Sequence, residues 1–553
     1  MKDILYYGGP ILTMAEPLYA EALLVRRSKI VFCGDLKTAE SLAEEGTERV
    51  DLKGRTLMPA FIDAHSHLSH VADAMNYADL SGCQSVEEIG ERLRQWAEEN
   101  NLEAGKWIIG SGYDHNDLPG GCHPTAKQLD ALVGEHPVLI THSSGHMGVA
   151  NTLGLRELSI SCNASDPPGG RIGRDEEGNL TGYLEENALI QRTRQIPRPT
   201  QQQRLCNLKK AQQVYLRNGI TTCQDGKVNQ ADFEFLSNAA KSGLLEMDVV
   251  AYADLKNNEE LMDQYAQYRT YQRNLRLGGY KIFLDGSPQG RTAWMTQPYL
   301  GGKEGYKGYP IYTDQAVEEF CSTALRRGIQ LLAHCNGDAA SQQFVDAYEK
   351  ALGTCRQKES IRPVMVHAQT VRADQLERMA ALQMIASFFV AHTYYWGDVH
   401  RKNFGDERAM KISPTHTALE KGVLFTFHQD SPVVPPDMWH TVWCAVCRQS
   451  KGGVTMGEEE RIPVLEALKA VTINGAYQYF EEKTKGSLEE GKWADLMIVD
   501  KDPLKVDPME LKDIKVLSTI KEGFTLWTDR KSTRLNSSHL RISYAVFWVK
   551  KKR

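Results

Sequence analysis

The stretch FIDAHSHLSH, Phe61–His70, sets three histidines within six residues, straight after an apolar run. Residues two apart on an extended strand share a face, so His65 and His67 are expected to address one metal ion while His70 falls out of phase. The chain has 16 histidines, so such a pair carries little meaning alone. Its reading depends on what the rest of the chain sets beside it.

Outward from this stretch, short apolar runs ending in polar residues alternate with helical stretches. The runs are LMPAFIDAHSH, GITTCQDG, EMDVVAYAD, GGYKIFLDG, GIQLLAHCNG, RPVMVHAQ, QMIASFFVAH and GVLFTFHQDS. Helix candidates such as DQAVEEFCSTALRRG and RADQLERMAALQ lie between most of them. Eight strand–helix units in series predict an α/β fold, a (β/α)8 TIM barrel, over residues 58–477. The first connection, 70–216, is too long for a simple βα loop. It has strand candidates of its own in KWIIGSGYD and HPVLITHSSGH and reads as an inserted subdomain. Residues 1–57 and 478–528 carry alternating apolar runs with Gly turns, and together predict a composite β-sandwich.

The last 25 residues, 529–553, do not continue this pattern. DRKSTRLNSSH resembles a reading frame through a sequencing adapter, and the final lysines resemble a run of A, so the segment reads as a non-native tail. It holds 8 of the 65 basic residues and 1 of the 71 acidic ones. The remainder, with 57 basic against 70 acidic residues, is acidic enough to argue against nucleic acid or an anionic membrane as partner. No apolar run reaches the ~18 residues of a membrane span, and the N-terminus lacks a signal-peptide pattern. A cytoplasmic location is expected. Eleven scattered cysteines suggest reduced thiols, and the lone Cys444–Cys447 pair reads as structural.

Polar residues of unusual type stand at several of the predicted strand ends. His65 and His67 follow the first, His334 ends the fifth, His367 the sixth, and Asp430 follows the eighth. Lys281 lies inside the apolar fourth strand, where a charged amine is costly unless it pairs, for instance with Asp285. Singly, each histidine suits a pocket wall, and Asp430 a helix cap. Jointly, four histidines and an aspartate at the C-terminal rim of one barrel suit a divalent metal, zinc or similar.

The phrases LMPAFIDAHSHL, GSGYDHNDLP, GHMGVANTLGL, KIFLDGSPQGRTAWM, AHCNGDAA, VHAQTV, FFVAHTYYWGDVH, HQDSPVVPPDMW and GSLEEGKWADLMIVDKDP occur in order over nearly all of 1–528. Together they resemble the metal-dependent amidohydrolase superfamily, in its N-substituted formamide deformylase-like branch (amidohydrolase family 3). Ala60 stands where that family usually has Gly, and Cys335 replaces a more usual small residue. The resemblance implies His65 and His67 on one metal, and His334 and His367 on a second. It implies Asp430 as ligand to the first and as proton shuttle. It implies Lys281 carboxylated by CO2 and bridging two ions, so a binuclear centre if that carbamate forms and a single ion otherwise. A lysine in an apolar strand is held towards its neutral, reactive form, which fits. The implied reaction is hydrolysis of a non-peptide carbon–nitrogen bond, an amide or formamide, with Asp430 passing the proton from water to the leaving nitrogen. Substrate contacts are expected from His146, Arg291 and Trp396, with Tyr113, Asp114, His142, Tyr394 and Tyr395 as further pocket candidates. The aromatics of HTYYWGDVH suit an apolar or aromatic substituent on a small-molecule substrate. Homo-oligomerisation stays open. A lactonase or esterase on the same scaffold would use the same ligands, whereas a deaminase would usually use one metal and no bridging lysine.

Overall fold

In the computed structural model the described residues are 3–142, 147–168, 170–193, 195–197, 199–301, 304–355 and 360–529. The tail beyond Asp529 and His146 lie outside them. The chain divides into two units, Met1–Leu68 with Gln212–Arg553, and Ser69–Ala211.

The first unit is a mixed α/β fold around a curled parallel sheet of eight strands in chain order. These are β1 (Phe61–Ile62), β2 (Ile220–Val228), β3 (Asp248–Asp254), β4 (Leu275–Phe283), β5 (Gln330–Cys335), β6 (Val364–His367), β7 (Ile385–Phe388) and β8 (Phe425–Phe427). Each predicted run overlaps one of them. Ile62, Val250, Tyr252, Leu332, Val364, Val366 and Ile385, from five strands, join in one buried apolar cluster. Side chains of this kind contribute ~1.5–3 kcal/mol each when fully buried. The histidines at the strand ends sit on top of this packed interior.

The first predicted run divides in two. Thr56–Pro59 pairs antiparallel with Leu496–Val499, in a separate eight-stranded sheet built from both ends of the chain. Phe61–Ile62 alone enters the parallel sheet, against β2. Ala60 marks the break, and its N–H bonds the Asp495 carbonyl on the side of the terminal sheet. At the start of β3, Asp248 binds Lys485, and Lys521 lies 3.1 Å away. These buried ion pairs occupy the N-terminal end of the strands, the end that serves stability in such folds.

The second unit carries a six-stranded sheet in the order Gly170–Arg174, Leu180–Glu186, Met147–Ala150, Val138–His142, Ile108–Tyr113, Ala78–Asp79. Both strands predicted in the insertion are present. Its core is formed by residues such as Leu80, Ile89, Leu93, Ile108, Val138 and Ile140.

Candidate metal centre

His65 and His67 lie beyond the end of β1, so strand alternation does not explain their convergence. Local bonds do. The His65 N–H meets the Asp63 carboxylate at 3.3 Å, the His67 N–H donates to the Ser431 carbonyl at 2.9 Å, and His67 bridges to Asp225. The two rings stand edge to face with centroids 5.1 Å apart. His70, on the helix Leu68–Ala74, is exposed.

Asp430 joins them from beyond β8. Its Oδ1 is 3.4 Å from His65 Nε2 and 3.2 Å from His67 Nε2. The tautomer of His65 follows from its other nitrogen. Nδ1 is 2.5 Å from Gln224 Oε1, and the Gln224 amide nitrogen is engaged with the Ala64 carbonyl and Tyr479 hydroxyl. The Gln224 oxygen only accepts, so Nδ1 donates and Nε2 presents a lone pair to the carboxylate. Two lone pairs facing each other at this distance repel unless a cation lies between them. The separations also match the ~3.3 Å edge of a tetrahedron with ligand bonds of about 2.0–2.1 Å. These three residues fit a divalent ion.

His334, His367 and His428 extend the cluster. His334 and His367 have ring centroids 4.5 Å apart, and His367 Nε2 is 3.9 Å from Asp430 Oδ2. His367 Nδ1 meets His428 Nε2 at 3.2 Å, and His428 Nδ1 meets Ser387 Oγ at 2.9 Å. That chain of contacts leaves His367 Nε2 turned towards Asp430. Val366 belongs to the inner apolar cluster, and a regular strand would send the next side chain to the opposite face. The backbone of His367 instead adopts a φ of 73°, and Asp430 one of 55°. Left-handed backbone at non-glycine residues is strained and tends to collect at functional sites.

Lys281 is fully buried, and its amine makes no hydrogen bond. Asp285 does not pair with it. That carboxylate accepts from the backbone N–H groups of Asn336, Gly337 and Trp294, and lies 3.2 Å from His334 Nδ1. Burial lowers the Lys281 pKa to about 7, and its charge bears on His65, His367 and Asp430 alike. Burial also pushes His65 and His367 well below the ordinary histidine value, and His428 down to about 3, so these rings are neutral, as metal ligands must be. Burial alone would raise Asp430, but the His67 ring beside it and the Lys281 amine outweigh burial and hold the carboxyl below its usual range.

The expected substrate contacts fare differently. Trp396 is half-buried and packs on Phe389, which in turn lies 6.1 Å from the His367 ring and 5.4 Å from that of His428. The Arg291 guanidinium is spent on Asn403 Oδ1 at 2.8 Å and the Gly301 carbonyl at 3.1 Å. Tyr113, Asp114 and His142 belong to the second unit. Cys335 is fully buried, and the Cys444 and Cys447 thiols are buried apart from the cluster, on His440 and the Pro508 carbonyl. His428 and Gln224 are absent from the expected set. His428 could have been found, since it stands two residues before Asp430 in the same loop; Gln224 carries no signal at all.

A family model described as "Amidohydrolase family" matches residues 48–526. YtcJ of Bacillus subtilis (strain 168) is 27% identical over 533 residues, covering 95% of this chain and 99% of that protein. The N-substituted formamide deformylase of Arthrobacter pascens is 27% identical over 540 residues, covering 95% and 98%. Among solved structures, an uncharacterized metal-dependent hydrolase from Pyrococcus horikoshii OT3 superposes with a TM-score of 0.73 at 28% identity, covering 92% of this chain and 99% of that one.

Proposed function

The chain belongs to the amidohydrolase family, and from that premise we propose that it hydrolyses a non-peptide carbon–nitrogen bond, an amide or N-substituted formamide, in a small molecule. The observation that carries this reading is the convergence of His65, His67 and Asp430 at 3.2–3.4 Å, with the His65 Nε2 lone pair turned to the carboxylate. Zinc is the ion that best suits this mix of imidazole and carboxylate. When bound, it supplies Lewis-acid polarisation of the scissile carbonyl and acidifies water.

The residues do the rest. His65 and His67 hold the first position, with Gln224 locking the His65 tautomer. His334 and His367 offer a second. Asp430 Oδ2, the oxygen not shared by His65 and His67, accepts a proton from the attacking water and delivers it to the leaving nitrogen. We read Lys281 as the bridge. Its neutral amine forms an N–C bond to CO2 and releases one proton, and the carbamate so formed offers two oxygens sharing one negative charge in place of a nitrogen that makes no hydrogen bond. Trp396, through Phe389, walls the site for an apolar or aromatic substituent.

We also read the parallel sheet as a closed (β/α)8 barrel, supported by the backbone bonds His67 N–H to Ser431 O and Asp430 N–H to His65 O. The sheet shared by the chain ends supports a composite sandwich from 1–57 and 478–528. Among the described residues no helix is long and apolar enough to cross a membrane.

The test is metal analysis with a panel of amide, formamide, lactone and deaminase substrates, on the wild type and Lys281→Ala. About two ions per chain and C–N hydrolysis, both falling in the variant, support the reading. One ion in both chains with activity kept removes the bridge. Lactone-only turnover removes the bond class.

A further inference from the structure

A second convergence of metal-type donors lies in the unit Ser69–Ala211, and the reading above does not use it. Asp114 and His142 occupy the C-terminal ends of adjacent parallel strands, Ile108–Tyr113 and Val138–His142, which pair at Tyr113 and His142. His115 follows on a single turn of 3-10 helix, His115–Asp117. His115 Nδ1 is 3.1 Å from His142 Nε2, His142 Nε2 is 3.3 Å from Asp114 Oδ1, and His115 Nδ1 is 3.6 Å from that same oxygen.

Three metal-type donor atoms from two adjacent strand ends and the turn that follows one of them thus lie within 3.1–3.6 Å of one another. A cation at the centre takes all three lone pairs at once. The edges scatter around the ~3.3 Å expected of a tetrahedral ion with ligand bonds of about 2.0–2.1 Å.

The rings are also held in place before any ion arrives. His123 stacks on His115 with centroids 4.2 Å apart and planes 20° apart, and its Nδ1 meets the Tyr113 hydroxyl at 2.9 Å. Tyr113 is fully buried and stands edge to face with His142 at 5.4 Å. Outer partners of this kind orient ligands and raise metal affinity.

We propose that Asp114, His115 and His142 form a second metal site, for a borderline divalent cation such as Zn2+, with two imidazole nitrogens, one carboxylate oxygen and a fourth position left to water or an added ligand. All three ligands come from the unit Ser69–Ala211.

The full-length protein is stripped with chelator, reloaded with Zn2+, and titrated against a chromophoric chelator as wild type, His115→Gln, His142→Gln and His65→Gln/His67→Gln. One zinc equivalent should be lost in each of the first two variants and retained in the third. Co2+ in the third chain should show the intense visible bands of a tetrahedral ion, abolished by adding His115→Gln. Far-UV circular dichroism checks folding. If His142→Gln does not fold, His115→Gln decides, since that side chain is 25% exposed. Unchanged zinc count and affinity in folded His115→Gln overturns the proposal.

Discussion

Asp285 Oδ1 lies 3.2 Å from His334 Nδ1, and three backbone N–H groups occupy its two oxygens. The carboxylate therefore fixes the loop beneath His334 and makes no pair with Lys281, on the strand just before it.

Asp285→Asn keeps the shape but turns an amide N–H2 towards backbone donors. The cost expected is ~1–3 kcal/mol of stability for donors left unsatisfied. With His334 released, one metal equivalent should bind about 10–100-fold more weakly, and the other should be unaffected. Isothermal titration with Zn2+ beside denaturant unfolding separates the two effects. Equal weakening of both ions would mean that Asp285 does not act through His334.

Lys281→Met removes an amine that makes no hydrogen bond. Stability of the metal-free protein should change by less than ~1 kcal/mol, or rise, because nothing is orphaned and a desolvated polar group is gone. Metal retention and turnover should fall together. A loss of several kcal/mol in urea unfolding would make the lysine structural.

The Lys281 pKa of about 7 sets a pH dependence for reconstitution. The amine attacks CO2 only when neutral, and the neutral fraction rises by about tenfold from pH 6 to pH 8. At fixed dissolved CO2, the rate of activation by added metal should rise by that factor and level off above pH 8. A pH-independent rate would rule out amine carboxylation as the limiting step.

Acid should weaken the metal-free fold in a definite window. Burial lowers the His400 pKa to about 3, and the ring stacks on that of His392. Above about pH 6.5 both folded and unfolded forms are neutral, so there is no penalty. Below it the unfolded chain takes a proton that the folded chain refuses until about pH 3, so stability falls by ~1.4 kcal/mol per pH unit for each such ring. His400→Asn should flatten the slope between pH 6.5 and pH 5 by one ring's share. An unchanged slope would mean that His400 is not held neutral.

Much of this was legible because strand ends are punctuated in sequence. Each of the eight runs carries polar residues in its last few positions, and that is where His334, His367 and Asp430 stand. What escaped depends on backbone that departs from alternation. The period-two argument was right about which two histidines meet and wrong about why, since His65 and His67 lie past β1 and are drawn together by Asp63, Ser431 and Asp225. The left-handed turn at His367 cannot be read from a non-glycine residue. Gln224 was hidden because a neutral amide in an apolar strand has no motif, although it fixes the tautomer of a ligand. The Asp114–His115–His142 triangle needed the pairing of two strands in the insertion, a register that sequence does not announce.

The two backbone bonds between the ends of β1 and β8 tie segments that enter the sheet first and last. An ion held by His65, His67 and Asp430, as proposed, would span the same join and act as a removable cross-link closing a very long loop. Like a disulfide, it would restrain the chain mostly by what it denies the unfolded state. A protease or an unfolding force acting at that seam should therefore meet more resistance in the loaded protein than in the stripped one.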